Sequence, residues 1–144
     1  MILYWLAINR EPVSLDELQS DIHPYVSQPI LIKTLKSLVQ RSLIEKKANQ
    51  FFLQPVLMEY MNSLFIERIC KEIETKDLDL LKSHFFLKAD TKEYIRKSQN
   101  NFIIQPVINR LLAVFKNQSN LEINLREIIS QLQAGSSEEC GYAA

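Results

Sequence analysis

The stretch that decides the fold covers residues 27–55 and reads SQPILIKTLKSLVQRSLIEKKANQFFLQP. Its first part, residues 27–42, has apolar residues at helical spacing. A short strand is predicted at residues 43–46, a turn at 47–50 and a return strand at 51–54. Because a further helical segment precedes it, the stretch predicts a winged helix-turn-helix with a two-stranded β wing. Such a domain binds DNA or another protein domain.

The predicted helix over residues 27–42 has two chemically different faces. Its apolar stripe consists of Leu31, Leu35, Leu38 and Val39, spaced i, i+4, i+7 and i+8. The polar face and the wing carry groups suited to phosphates and base edges of DNA, namely Lys33, Lys36, Ser37, Gln40, Lys46 and Lys47. A solvated face is the favoured interpretation, because 17 basic residues balance 17 acidic ones and this face carries no arginine.

The segment before the wing contains two shorter helical patterns. The first places Ile2, Trp5 and Leu6 on one face, and no capping residue precedes it, which suggests a cut fragment or a late start codon. If a partner module was cut away, this helix with Trp5 is the predicted docking surface. Ser14 and Glu17 form a capping box at the start of the second helix. In the wing, Asn49 is the residue best suited to a positive φ angle.

Helical patterns fill the rest of the chain. A long helix is predicted from Pro55 to Glu74, and Asp77 is predicted to cap a helix over residues 78–87. A last helix is predicted to end at Gly135. The fold class is therefore mainly α, with a winged-helix domain at residues 1–75, a small all-helical arm at 76–134 and a flexible tail at 135–144. The acidic residues at positions 72–79 are expected to cap helices and face solvent.

One internal similarity suggests a duplication. Residues 49–57 (NQFFLQPVL) resemble residues 100–108 (NNFIIQPVI), so a duplicated unit would form a second wing there. The flanking sequences differ, and a single pair of copies falls short of a repeat array. Coincidence is the favoured explanation.

Composition excludes several function classes. The only glycines are Gly135 and Gly141, so the body of the chain has no phosphate loop and no dinucleotide-binding fingerprint. His23 and His84 lack metal-ligand partners at suitable spacing, and no nucleophile–base pattern is visible. We therefore expect no enzyme activity, no metal and no cofactor in this chain. The two cysteines form no disulfide framework and no apolar run is long enough for a membrane span, so the expected location is the cytoplasm.

The chain resembles a known family over nearly its whole length. The stretches that carry the resemblance are residues 2–13 (ILYWLAINREPV), 38–45 (LVQRSLIE), 53–60 (LQPVLMEY), 91–96 (TKEYIR), the Gln105-Pro106 segment and 141–144 (GYAA). They are similar to the region that follows the nucleotide-binding module in cyanobacterial NB-ARC proteins. These belong to the STAND class of signalling ATPases and often end in WD-repeat or pentapeptide-repeat regions.

The resemblance implies a non-catalytic regulatory module without the ATPase core. Its winged helix would pack on a nucleotide-binding module, in the same or another chain, and hold the closed ADP-bound form. Its arm would lead to a sensor repeat region, so ADP or ATP would act only through the absent neighbouring module. A histidine after the wing often contacts the nucleotide phosphate in this family, and Gln54 occupies the matching position. Glutamine is uncharged and cannot titrate, which departs from the family pattern. A DNA-binding transcription regulator is the alternative, and a gene remnant that still folds is a third.

Overall fold

A 21-residue helix, Pro55–Thr75, contacts elements from both halves of the chain. The computed structural model describes residues 2–87 and 91–134. The fold is mainly helical, with one small three-stranded antiparallel sheet. In chain order its elements are α1 (Ile2–Asn9), β1 (Val13–Ser14), α2 (Leu15–Asp21), α3 (Gln28–Gln40), β2 (Glu45–Lys47), β3 (Gln50–Phe52), α4 (Pro55–Thr75), α5 (Asp79–Ser83), α6 (Glu93–Gln99), a π-helical turn (Asn100–Ile104), α7 (Gln105–Phe115) and α8 (Gln118–Ala134).

The hairpin of β2 and β3 differs in detail from the predicted wing. Lys47 pairs with Gln50, so the strands approach the turn more closely than predicted and leave a two-residue loop. Ala48 carries the positive φ of this loop, 54°, so the prediction of a positive φ at Asn49 is wrong. A positive φ at the first loop residue alone is the pattern of a type II′ turn, whose twist matches that of a hairpin.

The sheet has a third strand that the sequence did not indicate. β1 lies beside β3, where Val13 pairs with Phe51 and Ser14 with Gln50, and the strand order is β1-β3-β2. A two-residue strand shows no alternation, and Ser14 also caps α2. Its Oγ accepts the Glu17 N–H at 3.2 Å, and the Glu17 carboxylate accepts the Ser14 N–H at 2.8 Å. The predicted capping box is thus confirmed.

Two hydrophobic clusters form the interior, and both draw on α1 and α4. The first joins α1 to α2, α3 and the sheet through residues that include Trp5, Leu35 and Phe51. The second joins α1 and α4 to the C-terminal helices through residues that include Ile8 and Phe65. α1 therefore lies between the two clusters, and its last five residues are all buried.

The burial of α1 overturns the prediction that Trp5 marks an open docking surface. Trp5 is 1% exposed. The His84 ring stacks on its indole at a centroid distance of 4.6 Å, and Phe85 meets it edge-on at 4.7 Å. A helix that is apolar on every side requires cover on every side, and here that cover comes partly from the C-terminal half of the chain.

The same aromatic contacts shorten the helix predicted over residues 78–87. α5 ends at Ser83, and the backbone of His84 is extended, with φ −133° and ψ 137°. Because the backbone is extended at His84, its ring packs among Tyr4, Trp5 and Phe65. His84 is 1% exposed. Packing of this ring outweighs the helical preference of the segment.

A glutamate from α4 caps the start of α5, in place of the predicted Asp77. The N-cap residue of α5 is Leu78, which has no side chain that can cap. The buried Glu72 carboxylate accepts the Leu80 N–H at 2.9 and 2.8 Å and the Leu81 N–H at 3.2 Å. Burial raises the pKa of Glu72 above its usual range and outweighs the lowering effect of these N–H groups. A capping role is therefore confirmed for Glu72, although it lies inside the fold.

In the C-terminal half, α6, the π-helical turn and α7 form one continuous helical rod. Pro106 has no N–H to donate to the Phe102 carbonyl. That carbonyl instead accepts the Asn62 side-chain amide of α4 at 2.7 Å. Because residues 100–108 are helical throughout, their similarity to residues 49–57 does not produce a second wing.

Two predicted features fall on residues outside the described part of the chain. These are the helix end at Gly135 and the flexible tail at residues 135–144. Among the helices of residues 2–87 and 91–134, none combines the length and the apolar character that crossing a lipid bilayer requires.

Candidate functional site

A groove of about 530 Å³ lies between α3, the start of α2 and the β2–β3 hairpin. We call it the wing groove. Its lining residues are Ser14, Leu15, Asp16, Ile32, Leu35, Lys36, Val39, Gln40, Lys46, Asn49 and Phe51. Its volume is within the range of typical ligand-binding clefts, and its mouth is wide.

The floor of the wing groove is apolar and continuous with the N-terminal core. Leu35 and Phe51 are buried, while Leu15, Ile32 and Val39 are partly exposed. Leu31, Leu35 and Val39 lie on one stripe of α3. Burial decreases along this stripe, because Leu31 and Leu35 are buried and Val39 is partly exposed in the groove. The groove thus exposes the edge of the stripe that holds α3 on the core.

The rim of the wing groove carries cations and amides. Lys36 and Gln40 project from α3, and Lys46 and Asn49 from the hairpin. Lys46 lies opposite Phe51 in the strand pairing, and its ammonium nitrogen is 5.6 Å from the centre of the Phe51 ring. This position holds the cation above the apolar floor.

The residues predicted to face DNA are all exposed, but they do not form a single site. Lys36, Gln40 and Lys46 line the wing groove. Outside its lining lie Lys33, Ser37 and Lys47, of which the first two belong to α3 and the third to β2. Three of the six side chains therefore belong to the rim of the apolar groove, and the other three do not line it.

Gln54 lies outside the wing groove, at the start of α4. Its backbone carbonyl accepts the Met58 N–H at 2.8 Å, and its side chain is exposed. The amide nitrogen donates to the Glu45 carboxylate at 2.7 Å. The Gln54 side chain is therefore paired with an acid of β2.

Sequence reasoning missed two features of this region. The apolar floor contributed by Leu15, Ile32 and Phe51 was assigned to no site. For Phe51, alternation along β3 was an available signal, because residues at every second position share a face. The contribution of Leu15 depends on the pairing of β1 with β3, which has no local sequence pattern.

Arg10 forms a second feature that the sequence did not reveal, and it joins the end of α1 to α4 and to the π-helical turn. Its backbone has a positive φ of 57° and its side chain is 9% exposed. The guanidinium lies 4.3 Å from the centre of the Phe102 ring and pairs with the Glu59 carboxylate at 3.1 Å. Nearby, Gln99 of α6 donates to the Ile8 carbonyl at 3.0 Å. The C-terminal end of α1 is thus held against the arm.

Among residues 2–87 and 91–134, no three His, Cys, Asp or Glu side chains lie close enough together to hold a metal ion. The buried Glu72 carboxylate caps α5, and the buried His84 ring stacks on Trp5. Both groups have structural roles that account for their burial.

Comparison with known proteins identifies one informative similarity. No protein-family model and no solved structure matches the chain. The chain is similar to an uncharacterized WD repeat-containing protein of the cyanobacterium Nostoc sp. (strain PCC 7120), with 37% identity over an alignment that is 175 positions long with its gaps. The alignment covers 99% of this chain and 14% of that relative. The chain thus spans about one seventh of the length of that relative.

Proposed function

We propose that this chain is a non-catalytic regulatory module of the STAND-class type, with a winged helix at residues 1–75 and a helical arm at 76–134. Its role is to couple an NB-ARC nucleotide switch to a sensor repeat region. Its partners are a nucleotide-binding module, in the same or another chain, and that repeat region. ADP or ATP binds to the neighbouring module, and this chain responds by changing its contacts.

The element order is the observation that carries the proposal. The N-terminal half runs α1-β1-α2-α3-β2-β3 with the sheet order β1-β3-β2. A winged helix has this same sequence of helix, strand, helix-turn-helix and hairpin. The WD repeats in the name of the Nostoc relative support a neighbouring repeat region.

The contacts of Arg10 and Gln99 suggest how such a module transmits a signal. Both residues tie the end of α1 to the arm, through Phe102 and the Ile8 carbonyl. A shift of the winged helix on its partner therefore moves the arm with it. Coupling between sites requires a physical connection of this kind with two arrangements.

Gln54 is not expected to sense the nucleotide phosphate. Its amide nitrogen already donates to the Glu45 carboxylate at 2.7 Å, and that negative charge repels phosphate. The chain should therefore respond to the nucleotide state through the surface on which its winged helix packs against the nucleotide-binding module.

The test is the effect of this chain on nucleotide affinity. A purified NB-ARC module from a cyanobacterial protein of this class is titrated with ADP and ATP by calorimetry, with and without the chain. We expect ADP to bind more tightly in its presence, with a factor of about five or more, as is typical of coupled sites. Gln54→Ala should leave this factor unchanged, and equal ADP affinity with and without the chain contradicts the proposal.

A DNA-binding regulator is the second candidate, favoured by the exposed lysines at positions 33, 36, 46 and 47. Binding to mixed double-stranded DNA is measured at low and moderate salt for the wild type and for a variant with these four lysines changed to glutamate. Under our proposal neither protein binds tightly. Tight wild-type binding that weakens with salt and disappears in the variant replaces the proposal with DNA recognition.

A further inference from the structure

The wing groove combines an apolar floor with a basic rim, and DNA binding requires only the second of these. Its floor is apolar, with Ile32 and Val39 partly exposed beside the buried Phe51. Its rim carries the ammonium groups of Lys36 and Lys46. A phosphate backbone needs cations but gains nothing from an apolar floor. An apolar ligand needs the floor but not the cations.

We infer that the wing groove binds an acidic amphipathic helix of a partner protein. Such a helix presents apolar side chains at i, i+3, i+4 and i+7 to an apolar groove. These side chains contact Ile32, Val39 and Phe51. Carboxylates on the flanks of the helix pair with Lys36 and Lys46. This inference concerns a contact separate from the nucleotide switch and does not depend on it.

The charge around the wing groove specifies an acidic partner. The exposed cations on α3, the following turn and β2 are Lys33, Lys36, Arg41, Lys46 and Lys47. The acidic groups nearby are Asp16, in the groove lining, Glu17, whose carboxylate accepts the N–H and hydroxyl of the lining residue Ser14, and Glu45, whose carboxylate accepts the Gln54 amide. The whole chain is neutral, with 17 basic and 17 acidic residues, so this excess of cations is local. A local basic patch attracts an acidic segment in preference to a basic one.

The side chains of the groove also offer directional contacts. Gln40 and Asn49 on the rim carry amides that can donate to and accept from a helix end. Lys46, held over the Phe51 ring at 5.6 Å, is positioned to pair with a carboxylate while its stem covers apolar surface. An acidic amphipathic helix satisfies both the floor and the rim.

The experiment measures binding of fluorescein-labelled model peptides to the full chain by anisotropy. One peptide carries leucines at i, i+3, i+4 and i+7 with glutamates elsewhere, and its partner replaces every glutamate with lysine. We expect the acidic peptide to bind and the basic peptide not to bind. The variant K36E/K46E should weaken binding of the acidic peptide about tenfold or more, because two favourable charge pairs become repulsive.

A second variant tests the contribution of the apolar floor to binding separately from the contribution of charge. Ile32→Ser with Val39→Ser removes apolar surface without changing any charge, and should also weaken the acidic peptide about tenfold. The matched controls are K71E/K82E, which reverses two exposed lysines outside the groove, and Ile123→Ser on the exposed face of α8. Both controls should bind as the wild type does. Circular dichroism and thermal melting verify that each variant is folded.

Three results overturn the inference. The first is no binding of the acidic peptide, and the second is equal binding by groove and control variants. The third is full binding by the serine variant together with loss in K36E/K46E, since that pattern describes a purely electrostatic surface for polyanions such as DNA. None of these results changes the ADP titration described above, so failure of this inference is distinguishable from failure of the proposed function.

Discussion

At the scale of single residues, Glu72 shows how one buried carboxylate can hold two helices together. It belongs to α4, yet it accepts the N–H groups that begin α5. The first N–H groups of a helix have no partner inside the helix, and a carboxylate there also interacts favourably with the helix dipole. Burying the negative charge of Glu72 opposes this gain. Burial has a larger effect on the pKa of Glu72 than the N–H groups of α5 do.

A pH-dependent stability difference follows from that balance. Because the pKa of Glu72 in the folded protein lies above its usual 4.5, the folded state binds this proton more readily than the unfolded state does. Protonation of Glu72 therefore stabilises the folded state. This stabilisation is complete below the pKa that Glu72 has in the unfolded chain, and it is lost as pH rises through its pKa in the folded protein. The free energy of unfolding of the wild type minus that of Glu72→Gln should therefore decrease from about pH 4 to pH 8.

Urea unfolding at a series of pH values measures this difference directly. Glu74→Gln, at an exposed position on the same helix, is the matched control. The difference in free energy of unfolding between the wild type and Glu74→Gln should change less with pH than the difference for Glu72→Gln. A difference for Glu72→Gln that grows as pH rises means that the N–H groups of α5 stabilise the charged form more than burial opposes it.

At the scale of elements, a proline of α7 and an amide of α4 meet at one carbonyl of the π-helical turn. Pro106 leaves the Phe102 carbonyl without its helical donor, and Asn62 of α4 supplies one at 2.7 Å. A partly buried carbonyl without a partner lowers stability, so Asn62 compensates for the missing donor in the helical rod. The contact also fixes the rod against α4.

This compensation predicts a coupling between positions 62 and 106. Asn62→Ala should lower the free energy of unfolding by about 1–3 kcal/mol, because it leaves the Phe102 carbonyl unsatisfied. In a Pro106→Ala background the new backbone N–H can donate to that carbonyl. The cost of Asn62→Ala should then fall by about 1 kcal/mol.

A double-mutant cycle based on urea unfolding gives the coupling energy. Asn109→Ala, at an exposed position of α7, is the control for losing an asparagine and should show no coupling to Pro106→Ala. Additive effects of Asn62→Ala and Pro106→Ala contradict the explanation.

At the scale of the whole molecule, α1 serves both hydrophobic clusters. Its Trp5 belongs to the N-terminal cluster and its Ile8 to the C-terminal one. The rings that cover Trp5 come from His84 and Phe85, both beyond the predicted domain boundary at residue 75. Removing the arm therefore exposes apolar surface on α1 and α4 together.

We expect a fragment of residues 1–75 to lack a cooperative unfolding transition, whereas the full chain unfolds in a single one. The cause is loss of the apolar contacts that the arm makes with Ile8, Phe65 and Trp5. Fluorescence of the single tryptophan reports the difference, since its emission in the fragment should resemble that of the unfolded chain.

A fragment of residues 1–134 keeps both hydrophobic clusters and is the control for shortening the chain, so it should show a cooperative transition and buried tryptophan emission. If the fragment of residues 1–75 unfolds in a sharp transition with buried tryptophan emission, the N-terminal part is stable without residues 76–134. The two clusters are then energetically independent.

Local interactions made much of the fold predictable. The capping box of Ser14 and Glu17, the apolar stripe of α3 and the start of α4 at Pro55 depend on residues a few positions apart. Part of the groove rim was also predictable, because Lys36, Gln40 and Lys46 lie on elements with clear local patterns. The groove itself was not, since its floor forms only where α2, α3 and the sheet meet.

The sequence by itself determined the elements whose signal lies within one or two turns of chain, together with the mainly helical class. Only the tertiary structure decided the burial of Trp5, the end of α5 before His84, the capping of α5 by Glu72 and the pairing of β1 with β3. Each of these depends on partners distant in sequence. Their packing and desolvation energies outweigh local propensities, and no local pattern records where the partners will be.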